Sequence, residues 1–188
     1  MQQTFFSVLL CAFSAIVPPK NALKWYNSLT PEWQKVLVHN GCPTANAKSI
    51  QTYLDTTQRI TVFFKMESDT GVLRFQDIAP LTRFKKLKYL YANEVQIKDY
   101  SALQSLKKLQ LLEVQTSTFS DKDLLFLKKM NQLRRLNIAQ TSVSSLEPIL
   151  HLPTLDIILC METKIPRETI GAISERLPKK CRIIRDYL

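Results

Sequence analysis

Four stretches of this sequence repeat one apolar pattern, and nothing else in the chain restricts its fold so tightly. They begin at Leu87 (LKYLYANEVQI), Leu109 (LQLLEVQTSTF), Leu133 (LRRLNIAQTSV) and Leu155 (LDIILCMETKI), so successive starts lie 22, 24 and 22 residues apart. Places one, four, six and eleven are apolar in every unit: Leu87, Leu90, Ala92 and Ile97; Leu109, Leu112, Val114 and Phe119; Leu133, Leu136, Ile138 and Val143; Leu155, Ile158, Cys160 and Ile165. This spacing predicts one short strand per unit, with places four and six pointing to one side and three, five and seven to the other. A unit this small buries an apolar face only against its neighbours, so the repeat predicts a stacked solenoid.

The spacing lies inside the roughly 20–29-residue period of leucine-rich repeats, and the pattern resembles that family. The family's ninth place usually holds Asn or Cys, which bonds backbone groups in the turn. Here it holds Val95, Ser117, Thr141 and Thr163, similar to the Thr-containing repeats of many bacterial members, with Val95 marking a less regular first turn. With weaker flanking units, the resemblance covers Arg59 to Ile184. It implies an α/β leucine-rich-repeat solenoid with a short parallel β-sheet on the concave face, helices and turns on the convex face, and a helical N-terminal cap. It also implies a non-catalytic protein–protein interaction module, although a fold alone does not specify its ligand.

Three segments are expected: 1–19, an apolar N-terminal segment or signal peptide; 20–58, a helical cap; and 59–188, the repeats with a C-terminal cap. Ile60–Phe64 alternates and reads as the first strand. Thr30-Pro31-Glu32 is a helix start with Thr30 as N-cap, and Asn40-Gly41 supplies the stop. Trp25 and Trp33 are expected to cover the first strand's end. Ser120-Asp121 caps a convex helix over Lys122–Met130, with Leu124, Leu125 and Leu127 as its apolar face. Pro166 opens a helix to about Arg176, and Cys181–Ile184 offers a closing strand.

Phe5–Val17 reads FFSVLLCAFSAIV and ends at Pro18-Pro19. The run is too short to span a bilayer as a helix but fits a signal-peptide core. Against that, Met1–Thr4 carries no Lys or Arg, and no small residue precedes Cys11. The balance favours export to the periplasm, cell surface or medium over the cytoplasm; the alternative packs the run on the cap. No integral membrane protein is indicated.

The concave columns carry the candidate site. Place three gives Tyr89, Leu111, Arg135 and Ile157; place five gives Tyr91, Glu113, Asn137 and Leu159, with Phe63 as a possible extension; place seven gives Asn93, Gln115, Ala139 and Met161. Clustered Tyr, Leu, Ile and Met with isolated charges has the composition of a protein-binding patch. A protein partner is therefore expected there. The formal charge of +10 admits a polyanion or anionic surface as the alternative partner. Its ridge would be Lys85-Lys86, Lys107-Lys108 and Lys128-Lys129, with Lys179-Lys180 beyond. Lysines at the ends of convex segments also sit easily in water, which is the plainer account of them. A further alternative has a second copy of the chain filling the concave face.

Catalysis finds no constellation. The chain has three glycines and neither GxGxxG nor GxxxxGK[ST], so no phosphate-cradling loop is read. The cysteines form no CxxC, so no metal site is read. His39 and His151 are far apart in the chain, and an inward Cys160 would be inert. No cofactor and no small-molecule substrate is implied. Cys160 and Cys181 are placed on neighbouring strands at places six and four, too staggered for a disulfide.

Overall fold

The computed structural model describes residues 21–62 and 73–186. In chain order its strands are β1 (Arg59–Thr61), β2 (Leu73–Asp77), β3 (Tyr89–Tyr91), β4 (Val95–Asp99), β5 (Leu111–Glu113), β6 (Arg135–Asn137), β7 (Ile157–Leu159) and β8 (Arg182–Ile184). Six of them form one sheet in the order β1-β3-β5-β6-β7-β8, parallel throughout. Each strand neighbours the next unit's strand, which is the stacking the repeat demanded. The segment 1–19 lies outside the described residues, as do Phe63 and Phe64 of the expected first strand.

The apolar columns close the core. Leu90, Leu112, Leu136 and Ile158 at place four and Ala92, Val114, Ile138 and Cys160 at place six are buried, as are the four place-one leucines. The convex side adds three columns: Ile78, Tyr100, Leu124 and Leu146; Leu81, Leu103, Leu127 and Ile149; Phe84, Leu106, Met130 and Leu152. Within a unit these positions lie three apart, because the convex turns at Ala79–Arg83, Ser101–Ser105, Leu125–Leu127 and Glu147–Ile149 are 3-10 helices, in which i and i+3 eclipse. Burying each such side chain stabilises the stack by about 1.5–3 kcal/mol.

That period corrects the expected helix over Lys122–Met130. Helix α4 is only Asp121–Leu124, followed directly by the 3-10 turn at Leu125–Leu127. Leu124, Leu127 and Met130 face inward and Leu125 is 49% exposed, so Leu125 is not part of the apolar face. At the far end a 3-10 turn over Arg167–Thr169 leads into α5 (Ile170–Arg176).

Turn chemistry follows the repeat. The place-nine hydroxyls bond back to the place-six carbonyls: Ser117 Oγ to Val114 O at 2.5 Å, Thr141 Oγ1 to Ile138 O at 2.6 Å, and Thr163 Oγ1 to Cys160 O at 2.8 Å. Val95 has no hydroxyl, and the chain there enters β4, which pairs in parallel with β2. This second, two-stranded sheet was not expected from the sequence. Place eight is left-handed in every unit, with φ of 57° at Glu94, 52° at Thr116, 55° at Gln140 and 53° at Glu162.

Among the described residues three helices precede β1: α1 (Ala22–Asn27), α2 (Pro31–His39) and α3 (Ala47–Thr56). Thr30 caps α2 by accepting from Trp33 N–H, and Gly41 with φ of 82° lets the chain leave it. The far end of the expected first strand, Phe63-Phe64, lies outside the described residues, and the contacts of the tryptophans are with β2 and the turn after it. The Trp33 ring packs against Phe75 of β2 at 5.0 Å and donates to Asp77 O, while the Trp25 ring carries the Arg83 guanidinium at 5.4 Å. A polar side chain, Asn40, meets the β1 edge instead.

Candidate interaction surface

Strand register sets the concave columns side by side. Place three runs Arg59, Tyr89, Leu111, Arg135, Ile157 and Arg182, and place five runs Thr61, Tyr91, Glu113, Asn137, Leu159 and Ile184. Thr61 holds place five of β1 beside Tyr91, and Phe63 lies outside the described residues. Ile60 and Val62 are the buried inward pair of β1, so the residue between them must face out. Likewise the last strand is shifted by two from expectation: Ile183 pairs with Ile158 at place four, which puts Cys181 at place two beside Asp156. The stagger from Cys160 is thus four residues, and both thiols are free.

Tyr89, Tyr91, Leu111, Ile157, Leu159 and Met161 are half-buried, neither packed away nor fully in water. Arg135 is exposed and reaches Glu113 at 3.6 Å, a distance that leaves most of its N–H groups free. Asn137 is 5% exposed, because its amide is spent inside the sheet: Nδ2 donates to Gln115 Oε1 at 2.8 Å and Oδ1 accepts from Ala139 N–H. Two units earlier, Asn93 at place seven accepts from the Gln115 N–H of the next unit at 3.1 Å. These amides link places five and seven of neighbouring units.

Sequence reasoning missed Arg59 and Arg182, for it began the column at Tyr89. The signal was present in Ile60, whose inward place fixes Arg59 as place three. The Arg59 guanidinium lies 5.6 Å from the Tyr89 ring and 5.5 Å from the Tyr91 ring. Such contacts hold the charge in place without using its in-plane N–H donors. Arg59, Thr61, Tyr91, Asn93, Glu94 and Gln115 line a shallow pocket of about 350 Å³.

The lysine pairs do not make one ridge. Lys85-Lys86 and Lys107-Lys108 occupy equivalent turns just before place one, but the corresponding turns of the next two units are Asn131-Gln132 and Pro153-Thr154. Lys128-Lys129 sits earlier, directly after the Leu125–Leu127 turn. Lys85 is also paired with Asp55 at 2.9 Å and Lys180 with Asp156 at 2.8 Å. Asp156 is shared with Arg134, and Lys180 and Arg134 together hold its carboxyl below the usual range.

Burial pushes the Cys42 and Cys160 thiols up to about 11. Among the described residues no cluster of three or more His, Cys, Asp or Glu is placed to hold a metal, and no helix is long and apolar enough to cross a membrane.

No family model matches the chain, and no curated protein matches it in sequence. Solved structures do. An internalin from Listeria monocytogenes, internalin F, superposes with a TM-score of 0.55 at 18% identity, over 78% of this chain and 47% of that one. Internalin C2 of the same organism gives a TM-score of 0.49 at 22% identity, over 62% of this chain and 51% of that one. A leucine-rich-repeat protein of Leptospira interrogans gives 0.47 at 18% identity, over 74% and 38%. The chain thus spans about half the length of the two internalins.

Proposed function

We propose, from the premise that the chain has the leucine-rich-repeat fold, that it is a non-catalytic interaction module which binds a protein through the concave sheet. In this reading residues 20–58 are a cap and the repeats are the recognition surface. The observation that carries it is the set of half-buried Tyr89, Leu111, Ile157 and Leu159 on β3, β5 and β7 of one parallel sheet. Aromatic and aliphatic anchors on a preorganised surface are what a protein interface uses for its central contacts. A polyanion binder has less support, because the Lys85-Lys86 and Lys107-Lys108 turns are followed by two equivalent turns without lysine, and Lys85 and Lys180 are already paired.

The test is site-specific photo-crosslinking in cells, with the crosslinker at Leu159 on the concave side or at Lys122 on the convex side. A partner should be captured from Leu159 and not from Lys122. Its affinity, remeasured with purified components, should fall about tenfold or more on Tyr91→Ala, the loss of one interface anchor. Should Tyr91→Ala leave it intact while Lys107→Glu and Lys108→Glu abolish it, the reading fails.

A further inference from the structure

The third column of the concave face carries three arginines separated by apolar side chains. Arg59 and Arg135 stand three strand steps apart with Tyr89 and Leu111 between them. Arg182 ends the same column after Ile157. Neither Arg59 nor Arg182 makes an ion pair with any described residue. Arg135 has one long contact, to Glu113 at 3.6 Å.

We propose that this column seats an extended acidic peptide, with carboxylates on Arg59 and Arg135 and an apolar side chain between them on Tyr89 and Leu111. The proposal rests on the concave-face reading and specifies its partner's chemistry. Strands stand about 4.8 Å apart, so three steps are about 14 Å. An extended chain advances about 3.4 Å per residue, so residues i and i+4 span the same distance and point to the same side. Residue i+2 also points to that side and falls about 7 Å along, between Tyr89 and Leu111. The pattern recognised is therefore acidic-x-apolar-x-acidic.

Arginine suits this role, because its planar fork meets a carboxylate with two parallel N–H donors. Arg59 is already held by two rings at 5.6 and 5.5 Å, so little side-chain freedom is lost when it binds. A nucleic-acid strand fits less well. It carries a phosphate at every step and would press charge against Leu111 and Glu113 in mid-face. One face of each tyrosine is also occupied by Arg59, leaving less ring for bases to stack on.

The experiment uses the full chain and end-capped nine-residue peptides, Gly-Ser-Glu-Ser-Leu-Ser-Glu-Ser-Gly and its isostere with both Glu replaced by Gln. Binding is read by fluorescence anisotropy at low salt. The acidic peptide should bind at least about tenfold tighter than the isostere, the scale of one charge-assisted hydrogen-bonded pair. Arg59→Gln should erase that preference, with the melting temperature checked against the parent, while Lys107→Gln should change it less than about twofold. If both peptides bind equally, and both lose affinity on Tyr91→Ala and Leu111→Ala, the acidic preference is overturned and the concave site stands. If binding is indifferent to Tyr91→Ala and Leu111→Ala as well, the concave reading falls with it. If a single-stranded oligonucleotide binds tighter than the peptide with the same Arg59 dependence, the partner class is a polyanion and the proposal is overturned.

Discussion

The side-chain amide of Asn40 stands where a further strand would stand beside Thr61: its Oδ1 accepts from the Thr61 N–H at 2.8 Å and its Nδ2 donates to the Thr61 carbonyl at 2.7 Å. The same Nδ2 also reaches Val36 O at 2.8 Å, so the C-terminus of α2 is tied to the first strand of the sheet. An open sheet edge exposes backbone groups that invite pairing with another chain. One amide of the right shape blunts that edge.

Removing it tests how much the helices depend on this contact. Asn40→Ala should cost about 2 kcal/mol, two hydrogen bonds' worth with partly buried partners left unmatched. Chemical denaturation should show a lower midpoint. If the midpoint is unchanged, water satisfies Thr61 and the amide is incidental.

Thr116 carries a β-branched side chain at φ of 52°, where non-glycine residues cost roughly 1–2 kcal/mol and Asn is better tolerated. Thr116 also donates to Gln140 Oε1 at 2.7 Å, but that bond is exposed and contributes little. Thr116→Asn should therefore stabilise the fold by a few tenths of a kcal/mol up to about 1. A melting temperature that falls would show the hydroxyl bond outweighing the strain.

Asp121 crosses between units, accepting from Ser144 N–H at 2.7 Å, Ser144 Oγ at 2.5 Å and Ser145 N–H at 3.2 Å. Desolvation raises its carboxyl, but these bonds outweigh that, and the net shift is below the usual 3.8. A depressed folded-state value means that its stabilisation is present above the unfolded value and lost as pH falls through the folded one. Asp121→Asn should cost about 1 kcal/mol at pH 7, discounted for partial exposure. The gap to the parent should close as pH falls through the depressed folded-state value of Asp121. A gap that persists in acid would assign the effect to shape.

Cys42 and Cys160 are buried, with thiols raised to about 11, so neither should react with iodoacetamide at pH 8 in the native protein. Cys181 is half-buried and should label faster. Peptide mapping by mass spectrometry resolves the three sites. Rapid labelling of Cys160 would mean that the last units open readily.

Much of the fold could be read from the sequence because it is local. The apolar places of each unit and the hydroxyls at place nine act within one repeat or against the next, and the Thr30 cap and Gly41 stop act within one helix. The candidate face was legible from Tyr89 to Leu159 for the same reason. Asn137 was not, since its amide looks solvent-facing until Gln115 and Ala139 are placed beside it. The β2–β4 pair was hidden as well: the step from Arg59 to Tyr89 is 30 residues, while that from Leu73 to Val95 is 22. The extra eight residues of the first unit put its two strands out of phase with the later ones.

The sequence by itself determined that the chain stacks, in what order, and which side chains turn inward, because a unit this short can bury its apolar places only against its neighbours. The tertiary structure alone decided what the outward side chains meet. The Arg59 guanidinium came onto two tyrosine rings and the Asn40 amide came onto the sheet edge, through contacts that no period in the sequence records.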